Sequence, residues 1–116
     1  MQFLLLIYES ESAQATRTEG DNHAMFAEYM AFTASIKSAG KMIAGDALQP
    51  VETATTLRIR DGKTLMTDGP FAETKEQLGG YYLVEANDLD DALSIAARIP
   101  TAKTGSIEVR PVMVWT

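Results

Sequence analysis

The chain has 116 residues with no cysteine and one histidine, and its 16 acidic and 10 basic residues give a net charge of -6. This length suits one domain, and the lack of cysteine excludes disulfides and thiolate catalysis. A single histidine argues against a zinc site, so we expect no metal and no cofactor. The acidic balance argues against direct binding to nucleic acid, because phosphate is repelled by negative charge.

The chain opens with an apolar run, from Phe3 to Tyr8, which predicts a central strand buried on both faces. The run is too short for a signal-peptide core and has no basic residue before it. It is also far shorter than the ~20 residues that span a bilayer. We therefore expect a cytoplasmic protein with no membrane association. The polar segment from Ser10 to Gly20 is predicted to be a loop.

A helix is predicted over residues 21–39, with Asp21 or Asn22 as the N-cap and Gly40 just past the C-terminus. Apolar residues at spacings of three and four predict that one stripe of this helix faces the core rather than a cofactor. The stripe consists of Met25, Tyr29, Phe32 and Ile36, widened by Phe26, Met30 and Thr33.

A hairpin follows a short strand at 42–45 and a loop at 48–52. Its strands are predicted at 53–60 and 63–67, joined by the two-residue turn Asp61-Gly62. Leu57 and Ile59 alternate with Arg58 and Arg60, which predicts a half-buried strand.

The remaining elements are a strand at 81–86, a helix from Asn87 or Asp88 to Pro100, and a strand at 105–115. The order of elements predicts a single α+β domain over 1–116, ferredoxin-like with an inserted β-hairpin and with its helices on one sheet face. The face without helices is rich in apolar strands, which predicts a homodimer. Clefts between sheet and helices would suit a small-molecule ligand.

The segment from Asp68 to Tyr82 is a long connector with charges beside aromatic residues, and such connectors often carry sites. Asp68 precedes Gly69-Pro70, where its carboxylate would either organise the turn or act as an acid or base in a cleft. Lys75 would either form exposed ion pairs with its acidic neighbours or attract an anionic ligand.

Two aromatic residues and the histidine are further candidates. Phe71 is interpreted as an anchor that pins the loop to the barrel, or as a ring that stacks on a ligand. Tyr81 and Tyr82 must face opposite sides of their strand, and a tyrosine at a cleft would orient a ligand through its hydroxyl. His23 would be a general base oriented by Asp68 or Glu28, or a solvated residue at the helix start.

Segments along nearly the whole chain are similar to one known family. They include Ser38-Ala39-Gly40, Thr55-Thr56-Leu57-Arg58, the signature from Asp68 to Gly80, Asp88-Leu89-Asp90-Asp91-Ala92 and Gly105-Ser106-Ile107-Glu108-Val109-Arg110-Pro111. With these segments the chain resembles the DGPF branch of the YCII-related family.

The resemblance implies a dimeric ferredoxin-like α/β barrel, and the function of this family is largely undefined. Some relatives are thought to act as enzymes through a His–Asp pair in a cleft, and one type dehydrochlorinates a chlorinated hydroxyquinol. DGPF members often accompany extracytoplasmic-function sigma factors, which implies a functional link to such a factor. This chain departs from the enzymatic pattern, with one histidine and no obvious matching Asp downstream on the first helix.

The main hypothesis is a cytoplasmic homodimer whose cleft binds or transforms a small polar or aromatic metabolite, and it leaves open whether the protein is an enzyme. His23 and Asp68 are the catalytic candidates. The ligand-binding candidates are Asp68, Phe71, Lys75 and Tyr81. An alternative is a non-catalytic accessory protein in a sigma-factor or stress-response pathway. A third is an oxygenase that acts on aromatic substrates without a metal.

Overall fold

The structure is a computed structural model that describes residues 1–115. Over this part of the chain, strands and helices follow the predicted order, with one additional short α-helix and two short 3-10 helices, Val51–Thr53 and Pro100–Lys103. Their bounds are β1 Gln2–Ser10, α1 Glu11–Ala15, α2 Glu19–Ser38, β2 Met42–Ala47, β3 Thr55–Arg60, β4 Lys63–Asp68, β5 Glu76–Glu85, α3 Leu89–Ala96 and β6 Ser106–Pro111. No helix within residues 1–115 is both long enough and apolar enough to span a membrane.

The main sheet has four antiparallel strands in the order β2-β5-β1-β6. This order, with α2 and α3 as crossovers, is the ferredoxin-like arrangement, so the predicted fold class is confirmed. Strands β3 and β4 form a separate two-stranded sheet inserted between β2 and β5.

The core lies between the helices and one face of the main sheet. Its β1 members alternate along the strand, and its helical members face them. Tyr82 packs edge-on against Phe32 with ring centroids 5.1 Å apart, and its hydroxyl hydrogen-bonds to Thr33 at 2.7 Å. These contacts fix α2 over β5. The core includes Phe3, Leu5, Ile7, Phe32, Ile36, Tyr82, Val84, Ile95 and Ile99.

The hairpin turn is confirmed. Asp61 and Gly62 have φ values of 52° and 75°, which are the two positive values that a type I′ turn requires. Leu57 and Ile59, predicted to be half buried, are instead 57% and 61% exposed, because the hairpin projects from the domain.

The start of α2 differs from the prediction. Residues 11–15 form α1 rather than a loop, and α2 begins at Glu19 with Thr18 as its N-cap. The Thr18 side chain accepts from the Asp21 N–H, while the Asp21 carboxylate accepts from the Thr18 N–H. This reciprocal capping box satisfies two helix-start donors, so Asp21 is the third helical residue and not the cap.

Strand β5 also begins earlier than predicted. Residues 76–78 of the predicted loop pair with the end of β1 before a bulge beside Gly79. Glu76 and Gln77 are polar and have a low intrinsic preference for strands, so the sequence predicts a loop here. Pairing with the backbone of β1 outweighs that preference. Conversely, β6 ends at Pro111 and α3 at Ala96, both earlier than predicted.

Apolar side chains on α2 and in the connector before β5 that were predicted to be buried are exposed. Phe26 and Met30 on α2 are 65% and 56% exposed, so the core stripe of α2 is narrower than predicted. Phe71 is 80% exposed, and its predicted role as an anchor against the barrel is therefore wrong for the single chain.

Candidate functional site

A pocket of about 670 Å³ lies between α2 and the β2–β5 side of the main sheet. Small residues at the ends of these strands leave this space open. A Cβ added to Gly45 would come within 2.7 Å of the Tyr82 ring, and one added to Gly80 would come within 3.0 Å of the Asp46 carbonyl oxygen. The strands therefore approach one another closely and keep side-chain volume out of the pocket.

The pocket walls are mainly apolar. Met25, Phe26 and Met30 line it from α2, while Ile7 and Met42 line it from the sheet. Phe26 and Met30, exposed in the single chain, form part of this wall. A volume of this size with such walls suits a small organic molecule.

One end of the pocket holds a buried ion pair. Glu9 continues the inward alternation of β1 beyond Ile7 and is only 7% exposed. Its carboxylate accepts hydrogen bonds from the Arg17 guanidinium and, at 2.8 Å, from the Thr104 hydroxyl. The hydrogen bond to Glu9 raises the pKa of Arg17. An arginine guanidinium is charged in proteins, so this end of the pocket holds a cation beside a carboxylate.

Two hydroxyl pairs also line the pocket. The Tyr29 and Thr101 hydroxyls are 2.5 Å apart, and Tyr82 and Thr33 form the second pair. Burial raises the pKa of Tyr29, so its hydroxyl stays neutral near pH 7. These residues supply hydrogen-bonding groups to an otherwise apolar space.

The polar groups of the pocket include hydroxyls and one ion pair. Within residues 1–115, no group of three or more His, Cys, Asp or Glu side chains could hold a metal ion. Every buried side-chain nitrogen or oxygen in the described part of the chain has a hydrogen-bond partner. A ligand would gain hydrogen bonds here by sharing or displacing these partners.

The predicted site residues are spread over the molecule. Tyr81 is among the residues that border the pocket, but its side chain faces the opposite side of the sheet from Tyr82. Its hydroxyl donates there to Asp46 at 3.0 Å. This hydrogen bond raises the pKa of Tyr81. His23 is exposed in the second turn of α2 and does not line the pocket, although its neighbour Asn22 does.

The signature segment does not reach the pocket in the single chain. Asp68 is exposed at the end of β4, where it pairs with Thr55. Phe71 and Lys75 are exposed in the connector before β5. None of these three candidates lines the pocket. The structure thus brings Tyr81 to the border of the pocket with its side chain on the opposite sheet face, and leaves the other four candidates outside the pocket.

The sequence reasoning missed Glu9, Arg17 and Tyr29 as site residues. Glu9 could have been predicted from the sequence. A carboxylate at the next inward position of an apolar strand is buried and needs a partner. Tyr29 belongs to the predicted core stripe, where a buried hydroxyl also needs a hydrogen-bond partner. Arg17 lay in a predicted loop and carried no such signal.

Comparison with known proteins identifies the family of the chain. A family model described as the YCII-related domain matches residues 1–116. An uncharacterised protein of Rhizobium meliloti (strain 1021) is 38% identical over 117 residues, covering 99% of this chain and 94% of that protein. The fold, the full-length match and this relative together show that the chain belongs to the YCII-related family.

Proposed function

We propose that this protein binds a small metabolite in the pocket between α2 and the main sheet. The observation that carries the proposal is the buried Glu9–Arg17 pair at the end of an apolar pocket of about 670 Å³. Buried charges are costly unless they are paired, and a protein that needs only a core fills such space with apolar side chains. The arrangement suits a ligand with an apolar or aromatic body and a polar end group.

Binding is the primary claim, and transformation of the ligand is secondary. Glu9 is engaged by Arg17 and Thr104, and Tyr29 stays protonated, so these groups are better placed to orient a ligand than to move a proton. His23 and Asp68 would take part in catalysis only if a conformational change or a second copy brought them to the pocket.

We also propose that the functional unit is a homodimer in the cytoplasm. Leu4, Leu6, Tyr8 and Leu83 lie on the sheet face opposite the core and are only partly buried. A second copy stacked on this face would remove the apolar surface from water.

The test uses a pocket-filling variant and a matched control. Met30→Trp places a larger ring in the pocket wall, whereas Leu93→Trp makes a similar change at a 47% exposed site on α3 outside the pocket. Native mass spectrometry of freshly purified protein, followed by thermal-shift screening of aromatic and polar metabolites, would identify ligands. Met30→Trp should abolish the thermal shift, and Leu93→Trp should retain it.

The signature segment is tested in the same screen. Asp68→Asn, Lys75→Met and His23→Gln should leave ligand affinity unchanged, because these residues lie outside the pocket. Loss of binding in these variants with retention in Met30→Trp would refute the pocket as the binding site. It would move the site to the signature segment.

A further inference from the structure

The β3–β4 hairpin projects from the domain with one apolar face uncovered. Leu57 pairs with Met66 and Ile59 with Thr64, which places these side chains on one face. Leu57, Ile59 and Met66 are 57%, 61% and 71% exposed. An isolated two-stranded hairpin is only marginally stable in water, so this face needs a covering surface.

The opposite hairpin face differs in chemistry. Arg58, Arg60 and Lys63 share it with one apolar residue, Leu65, and the Arg58 guanidinium donates to the Phe71 carbonyl at 3.5 Å. Three cations keep this face hydrated. In a chain of net charge -6 they also favour approach to another copy of the same acidic protein. The hairpin therefore has a defined side for contact.

A second apolar segment projects at the other end of the domain. The chain beyond β6 includes Met113, Val114 and Trp115, which are 69%, 80% and 88% exposed. Trp115 is the only tryptophan in the chain. Exposed tryptophan beside other apolar residues is typical of a contact surface.

The molecular dimensions agree with two projecting segments. The radius of gyration is 16.2 Å and the extents are 47 × 47 × 19 Å, whereas a compact domain of this length has a radius of about 13 Å. The single chain is therefore broad and flat, as expected for a subunit whose projections are covered by a partner.

The sheet topology relates the two segments geometrically. β2 and β6 are the two edge strands and run in opposite directions to each other. The hairpin follows the C-terminal end of β2, and the tail follows the C-terminal end of β6. The hairpin and the tail therefore leave the sheet from different edge strands and at opposite ends of the strand direction. They lie at two diagonally opposite corners of the sheet.

Consider two copies stacked through the sheet face opposite the core. A two-fold axis in the plane between them, along the diagonal that joins the other two corners, would place the hairpin corner of one copy over the tail corner of its partner. The strands of the stacked sheets would then cross near right angles, which is one of the two common sheet-packing modes. By symmetry the contact would occur twice.

We infer that the apolar face of the β3–β4 hairpin in one copy covers the C-terminal tail, Val112 to Trp115, of a second copy. The inference rests on the proposed homodimer and goes beyond it by assigning the contact. A stable interface needs roughly 800 Å² per partner, and a buried aromatic residue such as Trp115 supplies roughly 150–250 Å² of it. The open sheet face supplies the remainder together with the hairpin.

Trp115 fluorescence tests the contact directly. Wild-type protein should be a dimer by light scattering, with blue-shifted emission and protection from acrylamide quenching. The Leu57→Asp/Met66→Asp variant should shift the emission to the red and raise quenching to the level of the urea-unfolded chain. The matched control Leu89→Asp, at a 50% exposed site on α3, should keep the protected tryptophan.

A crosslinking measurement covers the case in which the charged variant does not fold. The chain has no cysteine, so Ile59→Cys/Val114→Cys can be treated with a thiol-specific bifunctional reagent without background. A covalent dimer is expected from this variant and none from Ile59→Cys/Leu89→Cys.

Several outcomes would overturn the inference. They are a wild-type monomer, a dimer with fully quenchable Trp115, a tryptophan still protected in the folded hairpin variant, or no covalent dimer. If the hairpin–tail contact is refuted, the proposal of metabolite binding still stands, because the pocket residues lie outside the hairpin and the tail. Loss of ligand binding in Met30→Trp, measured separately, bears on the pocket alone.

Discussion

Gly105 lies directly against the backbone of Tyr8, and a Cβ at Gly105 would come within 2.1 Å of the Tyr8 carbonyl oxygen. The next residue, Ser106, begins β6 and pairs with Tyr8. This close approach therefore sets the point at which the last strand joins the central strand of the sheet.

Gly105→Ala should lower the free energy of unfolding by about 1–3 kcal/mol, the usual cost of forcing extra volume into a packed site. Gly79→Ala is a suitable control because a Cβ there meets no atom within 4 Å. Its effect should stay within about 0.5 kcal/mol. Urea unfolding measures both, and equal losses in the two variants would contradict the packing argument.

Breaking the Glu9–Arg17 pair should be more costly than replacing it. Their side chains are 9% and 15% exposed, so Arg17→Met should lower the unfolding free energy by about 3 kcal/mol, the lower end for a buried pair. The double variant Glu9→Leu/Arg17→Met should lose less than Arg17→Met alone, since no unpaired charge remains. Urea unfolding measures both variants. If the double variant lost as much unfolding free energy as Arg17→Met or more, the unpaired Glu9 carboxylate would not be the cause of the loss.

The Tyr29–Thr101 hydrogen bond should contribute about 1 kcal/mol, as typical for a pair of this kind. Because burial raises the pKa of Tyr29 above its ordinary value of 10.0, its contribution to stability is fully present below pH 10. It is lost as the pH rises through the raised pKa. Thermal unfolding of wild type and Tyr29→Phe between pH 8 and 11 should show a steeper alkaline loss in wild type. Parallel curves would contradict this.

The stability of the protein at acid pH depends on Asp91. Its carboxylate accepts from the Asn87 N–H at 2.8 Å and from Lys41 Nζ at 3.0 Å. The Asn87 hydrogen bond, followed by that of Lys41, lowers the pKa of Asp91 below its ordinary value of 3.8. Its stabilising contribution is therefore present above pH 3.8 and lost as the pH falls through the lowered pKa.

Asp91→Asn should consequently be less stable than wild type at pH 7, and the difference should shrink below pH 3.8. Asp90→Asn provides the control, because Asp90 neighbours Asp91 but does not contact Lys41. Acid titration followed by circular dichroism measures the effect. A difference independent of pH would show that Asp91 acts through something other than its charge.

The fold was largely predictable from the sequence, and the pocket was not. The apolar run at Phe3 and the Asp61-Gly62 turn carry local signals, and the order of elements then leaves few topologies. The cap at Thr18 was missed because Asp21 and Asn22 are equally good caps by composition. The strand start at Glu76 was missed because only pairing with β1 makes those polar residues a strand.

The candidate site depends on contacts between residues far apart in the sequence. Glu9 meets Thr104 only once the segment before β6 has packed against β1. Tyr29 meets Thr101 only once α2 has packed against that same segment. The signature segment from Asp68 to Gly80 was predicted to carry site residues because its composition is unusual. Composition predicts a connector with special turns, but it does not predict where that connector lies relative to a cavity.

Three of the six methionines line the pocket, namely Met25, Met30 and Met42. Unbranched thioether side chains change rotamer readily and contact aromatic rings favourably. The pocket wall can therefore reshape around ligands of different outline, while the Glu9–Arg17 end holds fixed hydrogen-bonding geometry. Under the proposed binding function, selectivity should accordingly follow the ligand's polar group more closely than its apolar shape.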